Sequence, residues 1–95
     1  MSKGYWVVRV SVKNAENYPD YLAAAKQAFE KYGARFLVRG GQYRDPEGRS
    51  RDRNVVVEFR DFQTAVACYD SPEYQAARAI RMANADADFL IIEGT

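Results

Sequence analysis

Gly4-Tyr5-Trp6-Val7-Val8-Arg9-Val10-Ser11-Val12 is the stretch on which the fold turns. Its residues alternate as a strand requires. Trp6, Val8, Val10 and Val12 point one way; Tyr5, Val7, Arg9 and Ser11 point the other. The first set is wholly apolar and is expected to face helices. The second is mixed, with Arg9 in its middle. Near the other end, in a strand expected over Asp88 to Glu93, Phe89-Leu90-Ile91-Ile92 is apolar on both faces. A sheet built from such strands needs cover on both sides.

The segments in between supply cover for one. A helix follows the first strand, with Asn14 or Asn17 as its cap, Pro19 in its first turn and Gly33 as its left-handed stop. Tyr18, Leu22, Ala25, Phe29 and Tyr32 form its buried stripe, and Lys26, Gln27, Glu30 and Lys31 its wet side. A second strand covers Arg35 to Arg44, with Phe36 and Val38 on one face and Leu37 and Arg39 on the other. Gly40-Gly41 marks a bulge or a close backbone approach within it. Asp45-Pro46-Glu47-Gly48 is a turn, and the Arg-rich loop after it is interleaved with acids and reads as solvated. The third strand runs from Asn54 to Arg60. Asp61 caps a short helix with Phe62, Ala65, Val66 and Tyr69 inward. Ser71, Pro72 and Glu73 start another that reaches Ala83, with Tyr74, Ala77 and Ile80 inward. The pair is expected to form a broken helix.

The order βαββαβ is the split, ferredoxin-like arrangement of an α+β domain. Right-handed crossovers put the helices on one face of a four-stranded antiparallel sheet. Tyr5, Val7, Leu37, Val56 and a pair from the last strand then line the bare face. A second copy packed sheet to sheet is the simplest cover, with twofold symmetry. Burying several such side chains is worth on the order of 10 kcal/mol before ordering costs. A homodimer is therefore expected.

The 95 residues read as a single domain, 1–95, with 47% hydrophobic and 28% charged residues. A net charge of +1 gives no general attraction to nucleic acid or to an acidic membrane, and no apolar leader or spanning run is present. A cytoplasmic location is the default. Histidine is absent, which removes the usual neutral-pH base and the usual zinc and haem ligand; no metal and no cofactor is expected. Cys68 stands alone and reads as a small buried hydrophobe.

GYWVVRV, RFLVRGG, RNVVVEF, ACYDSPEYQAARAIR and IIEG, in this order and spacing, closely resemble the small bacterial domain-of-unknown-function family 1330. The resemblance covers nearly the whole chain. It implies membership of the dimeric α+β barrel superfamily, hence a homodimer whose two sheets form a barrel. That superfamily includes cofactor-independent monooxygenases, isomerases and haem enzymes, and the resemblance supplies no reaction.

Parity places three charges on the bare face: Arg9, Arg39 and Glu58, each from a different strand. One expectation is a pocket for a small organic anion in the barrel or a cleft beside it, with Tyr5 and Tyr43 adding hydroxyls and ring surface. Alternatively, Glu58 and the arginines neutralise one another as structural pairs. A third reading is a cofactor-independent oxygenase or isomerase with Glu58 as base. Neighbouring arginines would lower that carboxyl's pKa, the wrong direction for a base. A purely structural or regulatory dimer is a fourth.

Overall fold

In the computed structural model, which describes residues 2–95, the elements follow as β1 (Gly4–Val12), α1 (Tyr18–Tyr32), β2 (Arg35–Arg39), β3 (Arg53–Phe59), α2 (Phe62–Asp70), α3 (Pro72–Asn84) and β4 (Ala85–Glu93). The four strands form one antiparallel sheet in the order β2-β3-β1-β4. All three helices lie on the Trp6 face. Trp6 is 1% exposed and donates its indole N–H to the Ala65 carbonyl of α2 at 2.9 Å. Its ring packs 5.6 Å from Phe29 of α1 and 4.8 Å from Tyr74 of α3, centroid to centroid. The chain measures 35 × 33 × 16 Å. The short dimension leaves room for one helix layer on one sheet, so the opposite face is bare.

Local signals explain the boundaries. Gly33 closes α1 at φ 67°, a left-handed conformation that costs glycine nothing. Asp61 accepts a hydrogen bond from the Thr64 amide at 2.7 Å and starts α2. Ser71 sits between α2 and α3 and serves both: its hydroxyl donates to the Cys68 carbonyl at 2.7 Å and accepts from the Tyr74 amide at 3.1 Å. The helix break expected at Ser71-Pro72 is present.

Several expectations need correction. Leu22 is 43% exposed, and Tyr21 and Ala28 take its place in the core, so the buried stripe of α1 is rotated towards α3. The second strand ends at Arg39 because Gly40 turns the chain at φ 68°. β4 starts three residues early, at Ala85. The irregularity in β2 also lies upstream of the glycine pair. Phe36 pairs with Val57 but Val38 pairs with Val56, so Leu37 is a bulge. A bulge inverts parity beyond it. Val38 consequently falls on the bare face, and Arg39, opposite Val55, on the helix face.

Candidate functional site

The bare face divides into two ends. At one, Tyr5, Val7, Val38, Val56, Leu90 and Ile92 form an apolar sheet surface by register, with Leu90 53% and Ile92 47% exposed. At the other, Arg51 reaches from the loop to donate to Asp88 at 2.9 Å and to the Ser11 hydroxyl at 3.0 Å, and Lys13 pairs with Asp86 at 3.4 Å. The Arg51 guanidinium holds the Asp88 carboxyl below its ordinary range.

The structure separates the three charges expected to meet. Glu58 stands opposite Tyr5 and Arg35; the Tyr5 hydroxyl lies 3.5 Å from its carboxylate and the Lys3 ammonium 3.9 Å. Arg9 stands opposite Asn54 and Asp88. Asn54 is four residues from Glu58, roughly 13 Å along a strand. Arg39 is on the other side of the sheet, its guanidinium stacked 4.1 Å from the centre of the Phe36 ring. Tyr43 is exposed in the segment after Gly40 and belongs to no strand. The chain does not bring Arg9, Arg39 and Glu58 into a joint pocket, because the Leu37 bulge removes Arg39 and the register removes Arg9.

A different constellation forms on the helix side. A groove of about 370 Å³ runs between α1 and the β2–β3 edge, lined by Leu22, Phe29, Phe36, Arg39, Arg53 and the ion pair of Lys26 with Glu30 at 3.8 Å. It narrows into a recess of about 30 Å³ floored by Trp6, Val8, Val10, Val55 and Val57, with Tyr18 and Tyr21 on its wall. Arg53 guards the junction. It pairs with Val10, in phase with the core-facing Val55 and Val57, and its Nε is buried without a hydrogen-bond acceptor. Among the described residues no carboxylate lies within 4.0 Å of Arg39 or Arg53. Gly40 makes room for Arg53: a Cβ there would stand 2.8 Å from its Nη1. What approaches Gly40 is thus a side chain, and neither the bulge nor the backbone approach expected at Gly40-Gly41 is found there.

Tyrosines back the recess. The Tyr21 and Tyr74 hydroxyls lie 2.8 Å apart. Burial pushes both above the ordinary tyrosine range. Burial raises Tyr18 as well, and the positive charge of Arg53 beside it opposes that shift. Burial pushes the Cys68 thiol up to about 12, so it stays protonated and unreactive at neutral pH.

Other features offer less. The widest depression, about 590 Å³, lies between the end of α1 and the start of α2, and none of its lining residues is buried. Among the described residues there is no cluster of three acids or cysteines able to hold a metal ion. No described helix is long and apolar enough to cross a membrane. Sequence reasoning missed Arg53, although its phase gave it away: a charge in line with the otherwise apolar core-facing set Val55, Val57 and Phe59.

A ferredoxin-like sheet with one helix-covered face, one bare apolar face and a cationic groove under its first helix defines a small α+β class of protein. The chain belongs to the family described as domain of unknown function (DUF1330), whose profile matches residues 3–95. No curated protein matches it in sequence. Solved structures share the fold. A protein of unknown function from Rhodopseudomonas palustris superposes with a TM-score of 0.79 at 18% identity, over 99% of this chain and 83% of that one. The cofactor-independent oxygenase SnoaB from Streptomyces nogalater gives 0.70 at 12%, over 97% and 92%. A dimeric ferredoxin-like protein of unknown function from Jannaschia gives 0.69 at 14%, over 95% and 97%.

Proposed function

We propose that this protein is a homodimeric binder of a small organic anion, held in the groove between α1 and the β2–β3 edge. The observation that carries the reading is Arg53: a guanidinium at the neck of the groove, beside the Tyr18 hydroxyl, with a buried Nε that has no acceptor and no carboxylate within 4.0 Å. A buried N–H without an acceptor is costly, and an incoming carboxylate or enolate would relieve that cost. The volume of about 370 Å³ is at the lower end of ligand pockets, suited to a small aromatic or branched molecule. Arg39 adds a second forked donor at the rim.

The homodimer rests on the bare face. Its half-exposed aliphatics complement a second copy of themselves, and the dimeric assembly of the Jannaschia protein supports the same arrangement here. Glu58 and Tyr5 then fall at the sheet-to-sheet contact, outside the groove. An oxygenase activity has only the fold of SnoaB behind it.

1-Naphthoate is a suitable probe, followed through the fluorescence of Trp6 at the floor of the recess. Saturable binding is expected, weakened about tenfold or more in Arg53→Gln, as for loss of a charged hydrogen bond. Gly40→Ala, which displaces Arg53, is expected to weaken it as well. Absence of binding at millimolar probe, or equal affinity in Arg53→Gln, overturns the reading.

A further inference from the structure

The geometry points to a second anion pocket, at the corner where α3 meets β4, suited to a carboxylate on a single aromatic ring. A hollow of about 270 Å³ opens there between Tyr69, Arg78, Arg81, Met82, Asp86 and Phe89. It shares no lining residue with the groove under α1, and its argument is independent of that site.

Arg81 carries the inference. It is 5% exposed, and its Nε is buried with no acceptor. No carboxylate of the described residues lies within 4.0 Å of it. Its guanidinium carbon sits 5.6 Å from the centre of the Phe89 ring and 5.9 Å from that of Tyr21. Ring faces and the C-terminal end of α3 both favour a cation there, but each is a smaller effect than stripping water from a guanidinium. The Tyr21 and Tyr74 hydroxyls are engaged with each other, and the Tyr74 oxygen also faces Arg81 as a neutral acceptor. The charge thus lacks the acidic partner that a structural arginine ordinarily finds.

The hollow is built to supply one from outside. Arg78 adds a second guanidinium at its wall. The single carboxylate on the rim, Asp86, is 59% exposed and already paired with Lys13 at 3.4 Å. Two forked cations against one engaged acid leave a positive surplus, and a fork matches a planar carboxylate through two parallel hydrogen bonds. Tyr69, Phe89 and Met82 provide ring and thioether surface for a flat apolar body.

Benzoate titrated into the full chain, followed residue by residue by amide NMR, tests this. Saturable shifts are expected at Tyr69, Arg78, Met82 and Ala87. Arg81→Gln is expected to weaken them about tenfold or more. In case Arg81→Gln fails to fold, Met82→Glu, at a half-exposed mouth position, is expected to abolish the same shifts by repulsion while the fold persists. Arg53→Gln is expected to leave them unchanged. Shifts confined to Leu22 and Phe36 would overturn the second pocket and leave the groove standing. Shifts at the α3–β4 corner but none at the groove would do the reverse. Inorganic phosphate binding the corner as tightly as benzoate would overturn the assignment to aromatic carboxylates.

Discussion

The two faces of the sheet both carry apolar residues in sequence, one throughout β1 and the other mixed with charges, and they end in different physical situations. On the helix face, Trp6 is surrounded by five aromatic rings at centroid distances from 4.8 to 6.2 Å. On the bare face, the residues on either side of Trp6 in the chain, Tyr5 and Val7, stand beside their cross-strand neighbours: Glu58 and Ile92, Val56 and Leu90. Cover from the same chain is uneven, because helices are cylinders laid on a twisted sheet. Hollows remain along α1 and at the α3–β4 corner, and Arg53 and Arg81 occupy their walls. Cover from a second copy would be sheet on sheet and self-complementary. What the difference teaches is that a charge in phase with the helix-covered face is shut off from solvent in a way that a charge on the open face is not.

The largest effect is expected from truncating the crowded side. Trp6→Ala should cost about 3–5 kcal/mol in chemical denaturation, whereas Val7→Ala, one residue away, should cost below about 1.5 kcal/mol in a dilute sample. Equal losses would erase the contrast between the faces. Leu90→Glu attacks the other side: with two copies of Leu90 in a symmetric contact, self-association should weaken by about 3 kcal/mol, read as a shift to monomer in light scattering. Wild-type protein already monomeric at micromolar concentration would contradict the dimer outright. Next, Tyr74→Phe removes the partner of the Tyr21 hydroxyl inside the covered face and should cost about 1–2 kcal/mol.

The smallest effect is electrostatic and belongs to the rim of both faces. Thr64 hydrogen bonds lower the Asp61 carboxyl, the Lys31 ammonium lowers Glu73, and Arg51 lowers Asp88. Each is depressed in the folded state from an ordinary value of 3.8 or 4.5. Each therefore contributes stability that is complete above that value and fades as pH falls through the depressed one. The melting temperature should hold from neutral pH down to about 5 and decline below about 4. Asp61→Asn, which keeps an N-cap oxygen without the charge, should flatten part of that decline.

Much of the fold was legible because it is written in short-range chemistry. The alternation at Tyr5–Ser11, the Asp61 and Ser71 caps and the Gly33 stop each act within a few residues, and each is present in the structure. The site was less legible for one identifiable reason. Placing Arg39 beside Glu58 relies on unbroken parity along β2, and the extra residue at Leu37 inverts it. No local signal marks that bulge, since Phe36-Leu37-Val38 reads as an uninterrupted strand. Arg53 and Arg81 were legible in principle: Arg53 falls in phase with Val55 and Val57, and Arg81 seven residues after Tyr74 on the apolar stripe of α3.

By itself, the order of residues determined the succession of strands and helices, the crossover hand and the apolar residues on both sheet faces, because these depend on backbone preference and on periods of two and 3.6. Tertiary structure alone decided which charges meet and which are stranded. Register, one bulged residue and the fit of a cylinder to a twisted sheet set distances between side chains far apart in the chain, and those distances separate an ion pair from a guanidinium with no carboxylate beside it.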